Sequence, residues 1–248
     1  MKLIIKRFGA YLIDIILVSV VATLLTSNKY INMDYERYKK TYDEYNNVFD
    51  DYNDFYGKLE KSYEDKEISN KEYEKLLEYE YTEELEKIYD DKKIDEEEYE
   101  DLILNLNDNY INIDLNYSYK LLKYSIIPTV VNLMCILIYF VVIQFYFNGQ
   151  TLGKKIMKLR IVSNNTKDLN VFNFFIRSLI VNEVFINIIS VIMLMILSKN
   201  NYIAYNKIIY VITYILEMAI LFTMVFDKNN RGLHDYVSNT RVIEDKKE

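Results

Sequence analysis

The sequence predicts an all-α membrane protein of about four transmembrane helices, with an extracytoplasmic, coiled-coil-like helical insertion after the first. Three features carry this reading. Four apolar runs approach the roughly 20 residues that cross a bilayer core of about 30 Å. Charge is segregated: residues 28–123 hold 14 Lys+Arg and 28 Asp+Glu, and the remaining 152 residues hold 16 and 9, so a segment of net −14 sits in a chain that is otherwise +7. With one proline and five glycines in 248 residues, helix breakers are scarce.

The apolar runs extend from Phe8 to Thr26, Tyr124 to Phe147, Ser178 to Ser198 and Ile208 to Phe226. The second carries no charge, and the others carry one carboxylate each, Asp14, Glu183 and Glu217. Lys2, Lys6 and Arg7 before the first run resemble the start of a secretory signal. An acidic residue inside the run and the lack of a small-x-small site argue that it stays in place as a span.

Orientation follows from the basic residues that flank the spans. With the N-terminus inside, fourteen of them, including Lys6, Arg7, Lys154, Lys155, Arg177 and Arg231, fall on the cytoplasmic side, against Lys199 and Lys207 in the one short outer loop. The expected organisation is residues 1–27 as cytoplasmic N-terminus and first span, and 28–122 as the acidic, Tyr-rich outer insertion. Residues 123–248 hold the other spans, with a basic cytoplasmic loop over 148–177 and a cytoplasmic tail over 227–248. This is a multi-pass protein of the cell membrane.

Within the insertion Tyr35, Tyr38, Tyr42, Tyr45, Phe49, Tyr52, Tyr56, Leu59 and Tyr63 recur at steps of three and four, the seam of a long coiled-coil-like helix. A near-repeat follows: Tyr63 to Leu77 and Tyr89 to Ile103 each place a capping residue, Ser69 or Asp95, three before a glutamate, Glu72 or Glu98. That is a helix-start signature. The shared Lys-x-Ile-(Ser/Asp)-x-x-Glu-Tyr pattern also looks like the turn-and-helix core of short helical modules at bacterial protein termini.

One cysteine, Cys135, and one histidine, His234, exclude a disulfide, a Cys/His zinc site and a Cys–His nucleophile pair. No nucleophile, base or metal set supports an enzyme, and neither a cofactor nor a nucleic-acid partner is expected. Gly149-x-x-x-Gly153-Lys154 is one residue short of a nucleotide-binding loop, and Lys155 stands where that motif needs Ser or Thr. Ile156, Leu159 and Ile161 alternate with Lys158 and Arg160, as in a short amphipathic segment at the headgroup boundary.

Several of these patterns together resemble the RDD family of multipass bacterial membrane proteins. They are Arg7-x-x-Ala10-x-x-x-Asp14, GQTLGKKIMKLRIV from Gly149 to Val162 (with Thr151, Gly153 and Lys154 inside it), Arg177, and the ending from Asp227 through Arg231, Gly232, His234 and Asp235 to Thr240 and Arg241. The resemblance covers both ends and the central loop, roughly 100 residues, and leaves 28–123 unexplained. It implies that the family's arginine and two aspartates fall on Arg7, Asp14 and Asp235, with Asp227 the alternative for the last. It also implies a role in transport of ions or small solutes.

The residues make a case of their own. A carboxylate in hydrocarbon costs several kcal/mol, so Asp14, Glu183 and Glu217 should face helices, a cation or water. Along ideal helices they lie about 8 to 14 Å from the cytoplasmic ends of their spans, close enough in depth to meet. Arg7 and Asp14, seven residues apart, share a helix face but stand about 10 Å apart, so Arg7 is expected to anchor headgroups or to meet another partner such as Asp235, leaving Asp14 to the bundle interior. Two functions compete. In one, Asp14, Glu183 and Glu217 form a cation and proton path, in a homo-oligomer because four spans are few. In the other, a membrane-anchored assembly protein recruits an extracytoplasmic protein through 28–122. The amide variants of the carboxylates separate the two.

Overall fold

The structure, a computed structural model, describes residues 2–64, 115–165 and 168–245. It divides into two units, residues 1–35 with 125–248, and residues 36–124.

In the first unit α1 runs Lys2–Thr26. Helix begins six residues before the apolar run, so Lys6 and Arg7 are helical. In the second unit α2 spans Tyr35–Glu64. The predicted seam begins on this helix: Tyr38 stacks on Tyr42 at 6.1 Å, and Tyr45 meets Tyr117 of a helix over 115–124 at 6.1 Å. The near-repeat, with Ser69 and Asp95, falls outside the described residues.

Helix α3 covers Ile126–Tyr146. Pro128 is tolerated in its first turn, where backbone N–H groups lack helical partners anyway. At Ile138–Ile143 the helix loosens into a π-helical turn, and Tyr139, Phe140 and Val141 are all buried. Three consecutive buried residues make a wider packed face than a regular helix stripe. A short helix α4, Leu152–Ile156, is capped by the Thr151 hydroxyl and followed by strand β1, Leu159–Ser163. Helices α5, Val171–Val181, and α6, Val184–Ile196, precede the long α7, Lys199–Phe226. The chain ends with α8, Leu233–Val237, and strand β2, Thr240–Glu244.

Three departures from expectation have physical causes. The all-α fold gains an antiparallel sheet in which β1 pairs with β2 in the register Leu159↔Glu244 to Ser163↔Thr240. Leu159 and Ile161 were expected at the headgroup boundary; they alternate inward with no exposure and pack with Val242, Ala10, Val141 and Phe174. The period of two in Leu-Arg-Ile is a strand signal that its basic content disguised. The third run does not form one straight helix: α5 and α6 meet at 63°. Glu183, at φ 52, lies in the left-handed region between them, and this polar Asn182-Glu183 pair interrupts the apolar sequence. Lys199 and Lys207, expected in an outer loop, lie on α7, which caps at Ser198.

Three helices, α1, α3 and α7, are long and apolar enough to cross a membrane, and the bent pair α5–α6 is a fourth if it counts as one span. Many of their large apolar side chains are exposed, among them Phe8, Leu24, Val225 and Phe226, as suits helices solvated by lipid. A second cluster, Val18, Leu133, Ile136, Phe140 and Val184, joins α1, α3 and α6.

Candidate functional site

The motif residues assemble into two buried polar centres and one cleft, all within the first unit. The first centre surrounds Asp14, which has no exposed surface. One carboxylate oxygen accepts from the Tyr139 hydroxyl at 2.7 Å and the Gly153 N–H at 2.7 Å. The other accepts from Thr151 Oγ1 at 2.5 Å and lies 3.7 Å from Lys154 Nζ. Both oxygens are therefore occupied on both sides, and the carboxylate ties α1 to α3 and α4. The glycine is required, since a Cβ at residue 153 would stand 2.1 Å from the Ala10 carbonyl oxygen and 2.9 Å from Asp14 Oδ1. Gly149 has φ +86, and a Cβ there would meet the Ile161 carbonyl at 2.3 Å.

Lys154 lies over the Phe140 ring and near Thr151. Burial lowers its pKa to about 8, against the attraction of Asp14, with Arg177 and Arg7 adding to the lowering. These three cations are thus electrostatic neighbours.

The second centre surrounds Asp235. One of its oxygens accepts from Arg7 Nη2 at 2.6 Å and from the Gly232 N–H at 2.9 Å. The other accepts from Arg177 Nη1 and, at 3.4 Å, from the Thr240 hydroxyl. Arg177 also donates to Thr240, and Arg7 to the carbonyl of Asn230. Burial raises the Asp235 pKa, but Arg177, His234 and Arg7 outweigh it and hold the carboxyl well below its usual range. His234 is 2% exposed, and its Nε2 sits 3.1 Å from Arg7 Nη2. Burial, reinforced by Arg177, pushes its pKa down to about 4, so it is neutral at physiological pH.

Asp227 has a different role. It accepts from Tyr236 Oη, from the Arg231 side chain and from the backbone N–H groups of Asn229 and Arg231, locking the turn that follows α7. These hydrogen bonds, Tyr236's first, lower its pKa. Arg7 bonds to Asp235 and not to Asp227.

The cleft, about 750 Å³, lies between α1, α5 and α7. Its walls are apolar, and its polar lining includes Arg7, Lys154, Arg177, Asn182, Glu183, Glu217 and His234. Glu183 and Glu217, from different helices, line the same cleft together with Tyr11. Of the three predicted path carboxylates, two therefore come together. Asp14 does not line the cleft, because the α4 backbone and Tyr139 enclose it. No group of three or more His, Cys, Asp or Glu able to hold a metal occurs among the described residues.

Sequence reasoning passed over Tyr139, Gln144 and Ser178. Tyr139 and Gln144 were visible as polar groups in an otherwise uncharged span. Gln144 is 1% exposed, and with its amide in the hydrogen-bonding orientation its oxygen accepts from Lys154 Nζ at 3.1 Å. Ser178 accepts from the Asn182 amide at 2.9 Å.

The model of the RDD family matches residues 113–239. No curated protein and no solved structure matches the chain. The matched range contains the α4 turn, Arg177 and Asp235. Arg7 and Asp14 stand outside it, on α1, and reach it through the contacts described above.

Proposed function

The chain belongs to the RDD family, whose members are membrane proteins, and we propose that it transports a small cation in exchange for protons, with Glu183 and Glu217 as the exchanging groups. One observation carries this reading: the two carboxyls, from different helices, line one cleft with apolar walls. Two carboxyl groups that share an apolar cleft do not both carry their charge at low cost, so the pair is a place where a cation can take a proton's position. Asn182 lies next to the pair and lines the same cleft, and its Oδ1 has no partner among the described residues.

In this reading Asp14 is a structural latch. The termini and the 148–177 loop face the cytoplasm, the acidic helical insertion stands outside, and copies of the chain associate to complete a pathway. The balance of flanking basic residues supports this orientation. The Arg7–Asp235 contact and the β1–β2 pairing support a shared side, since they hold the start of α1, the loop and the tail together.

Proteoliposomes test the proposal. Glu183→Gln and Glu217→Gln should each lower cation-driven proton flux at least about a hundredfold with insertion unchanged, because each swap keeps shape and removes charge. Asp14→Asn, in whatever fraction folds, should retain flux. Wild-type flux in both glutamine variants would remove the transport reading and favour the outer helices as a docking module.

A further inference from the structure

The cleft has a second, cationic end. Arg7, Arg177 and Lys154 line it, and among the described residues the carboxylates bonded to them are Asp14 and Asp235. Glu183 and Glu217 also line the cleft, with no ion pair to these cations among the described residues. With His234 neutral, three cations at this end meet two bonded carboxylates.

The donor inventory agrees with the charge count. Arg177, whose side chain is 9% exposed, bonds to Asp235 and Thr240 through Nη1 alone. Its Nε and Nη2 have no protein acceptor among the described residues. His234 Nδ1 is buried with no partner among the described residues. Arg177 thus keeps Nε and Nη2 for a ligand, and a phosphate oxygen pair fits that fork.

The shape of the cleft says where the anion comes from. Ile5 and Phe8 on α1, and Met218 and Leu221 on α7, line the cleft and are also exposed, at 65%, 60%, 45% and 49%. The cleft therefore opens sideways between two candidate spans, onto the surface that lipid would cover. A volume of about 750 Å³ is in the range that buries a drug-sized molecule. It would take a headgroup and the first carbons of its chains.

We propose that this cleft binds an anionic phospholipid from the leaflet on the side of the termini, with its phosphate on Arg177, Arg7 and Lys154 and its acyl chains leaving between α1 and α7. The inference does not depend on cation exchange at Glu183 and Glu217, and its test needs no ion gradient.

Purified full-length protein in neutral detergent is titrated with short-chain phosphatidylglycerol, phosphatidylcholine or glycerol phosphate, and binding is read by native mass spectrometry and thermal unfolding. Phosphatidylglycerol should bind at least about tenfold more tightly than phosphatidylcholine, as expected of hydrogen bonds to a charged group. Glycerol phosphate should not replace it. Leu221→Trp, which fills the cleft without touching the ion network, should abolish the preference, and Arg177→Lys, which keeps the charge but loses the fork, should reduce it. Equal retention of the two lipids, glycerol phosphate binding as strongly as phosphatidylglycerol, or an unchanged preference in Leu221→Trp would each overturn the proposal. If Arg177→Lys fails to fold, Leu221→Trp decides.

Discussion

Arg7 and Asp235, 228 positions apart in the chain, meet at 2.6 Å with side chains 7% and 0% exposed. Arg177 closes on the other oxygen of the same carboxylate, so one aspartate holds the first span, α5 and the tail together. In a low-dielectric setting such a centre depends on the presence of every member.

Asp235→Asn should therefore be severe. It leaves two buried guanidinium groups facing a neutral amide, and loss of one partner of a buried pair costs about 3 to 5 kcal/mol. Asp227→Asn breaks a more local set of bonds in one turn and should cost about 1 kcal/mol or less. Thermal unfolding in detergent ranks the two. Equal losses would contradict the assignment of Asp235, and not Asp227, as the partner of Arg7.

His234 should stay neutral well into the acid range. Being the sole histidine in the chain, it gives an imidazole NMR signal that needs no assignment, and that signal should hold its neutral shift down to about pH 5. The sign follows from linkage: with the folded pKa at about 4, the unfolded chain takes up the proton first as pH falls. The stability associated with neutral His234 is complete above about pH 6.5 and lost between there and about pH 4, up to about 3 kcal/mol. His234→Gln should remove that part of the pH dependence. A titration midpoint near 6.5 in the folded protein would show the ring to be open to water.

Gly153→Ala tests the Asp14 latch. The added Cβ meets backbone, the Ala10 carbonyl, so α4 must move off α1 and the Gly153 N–H must leave Asp14. A loss of about 3 kcal/mol is expected. Leu152→Ala, at a neighbouring residue that is 48% exposed, should cost much less. A neutral Gly153→Ala would mean that α4 does not sit on α1.

Topology is open to cysteine labelling. With Cys135, which is free and half-buried, replaced by serine, a cysteine at exposed Tyr42 should react with an impermeant thiol reagent in intact cells. One at exposed Asn165 should react only after the membrane is opened. The reverse pattern would invert the proposed orientation.

The spans were legible because a bilayer imposes a local rule. A run of apolar residues long enough to cross must be helical to satisfy its own backbone, and it needs no distant partner to announce itself. Thus the run from Phe8 to Thr26 lies within α1, and the run from Tyr124 to Phe147 brackets α3 within two residues. Helical spacing of tyrosines likewise announced α2. That Arg7 would not pair with Asp14 followed from helix geometry, but the choice between headgroups and Asp235 was made only by the fold. Other features depended on where distant segments meet. Strand β1 exists because β2, some 80 residues later, supplies its hydrogen bonds, and Leu159 and Ile161 are buried for the same reason. The bend at Asn182 and Glu183 needs a left-handed residue that no apolar count reveals. Asp14 was legible as a polar residue in a span, but its hydrogen-bond partners were set only when Tyr139, Thr151 and Gly153 closed around it. Hydrophobic periodicity reports which side of a helix is solvated, whereas the fate of a buried charge is set by the groups that other segments bring to it.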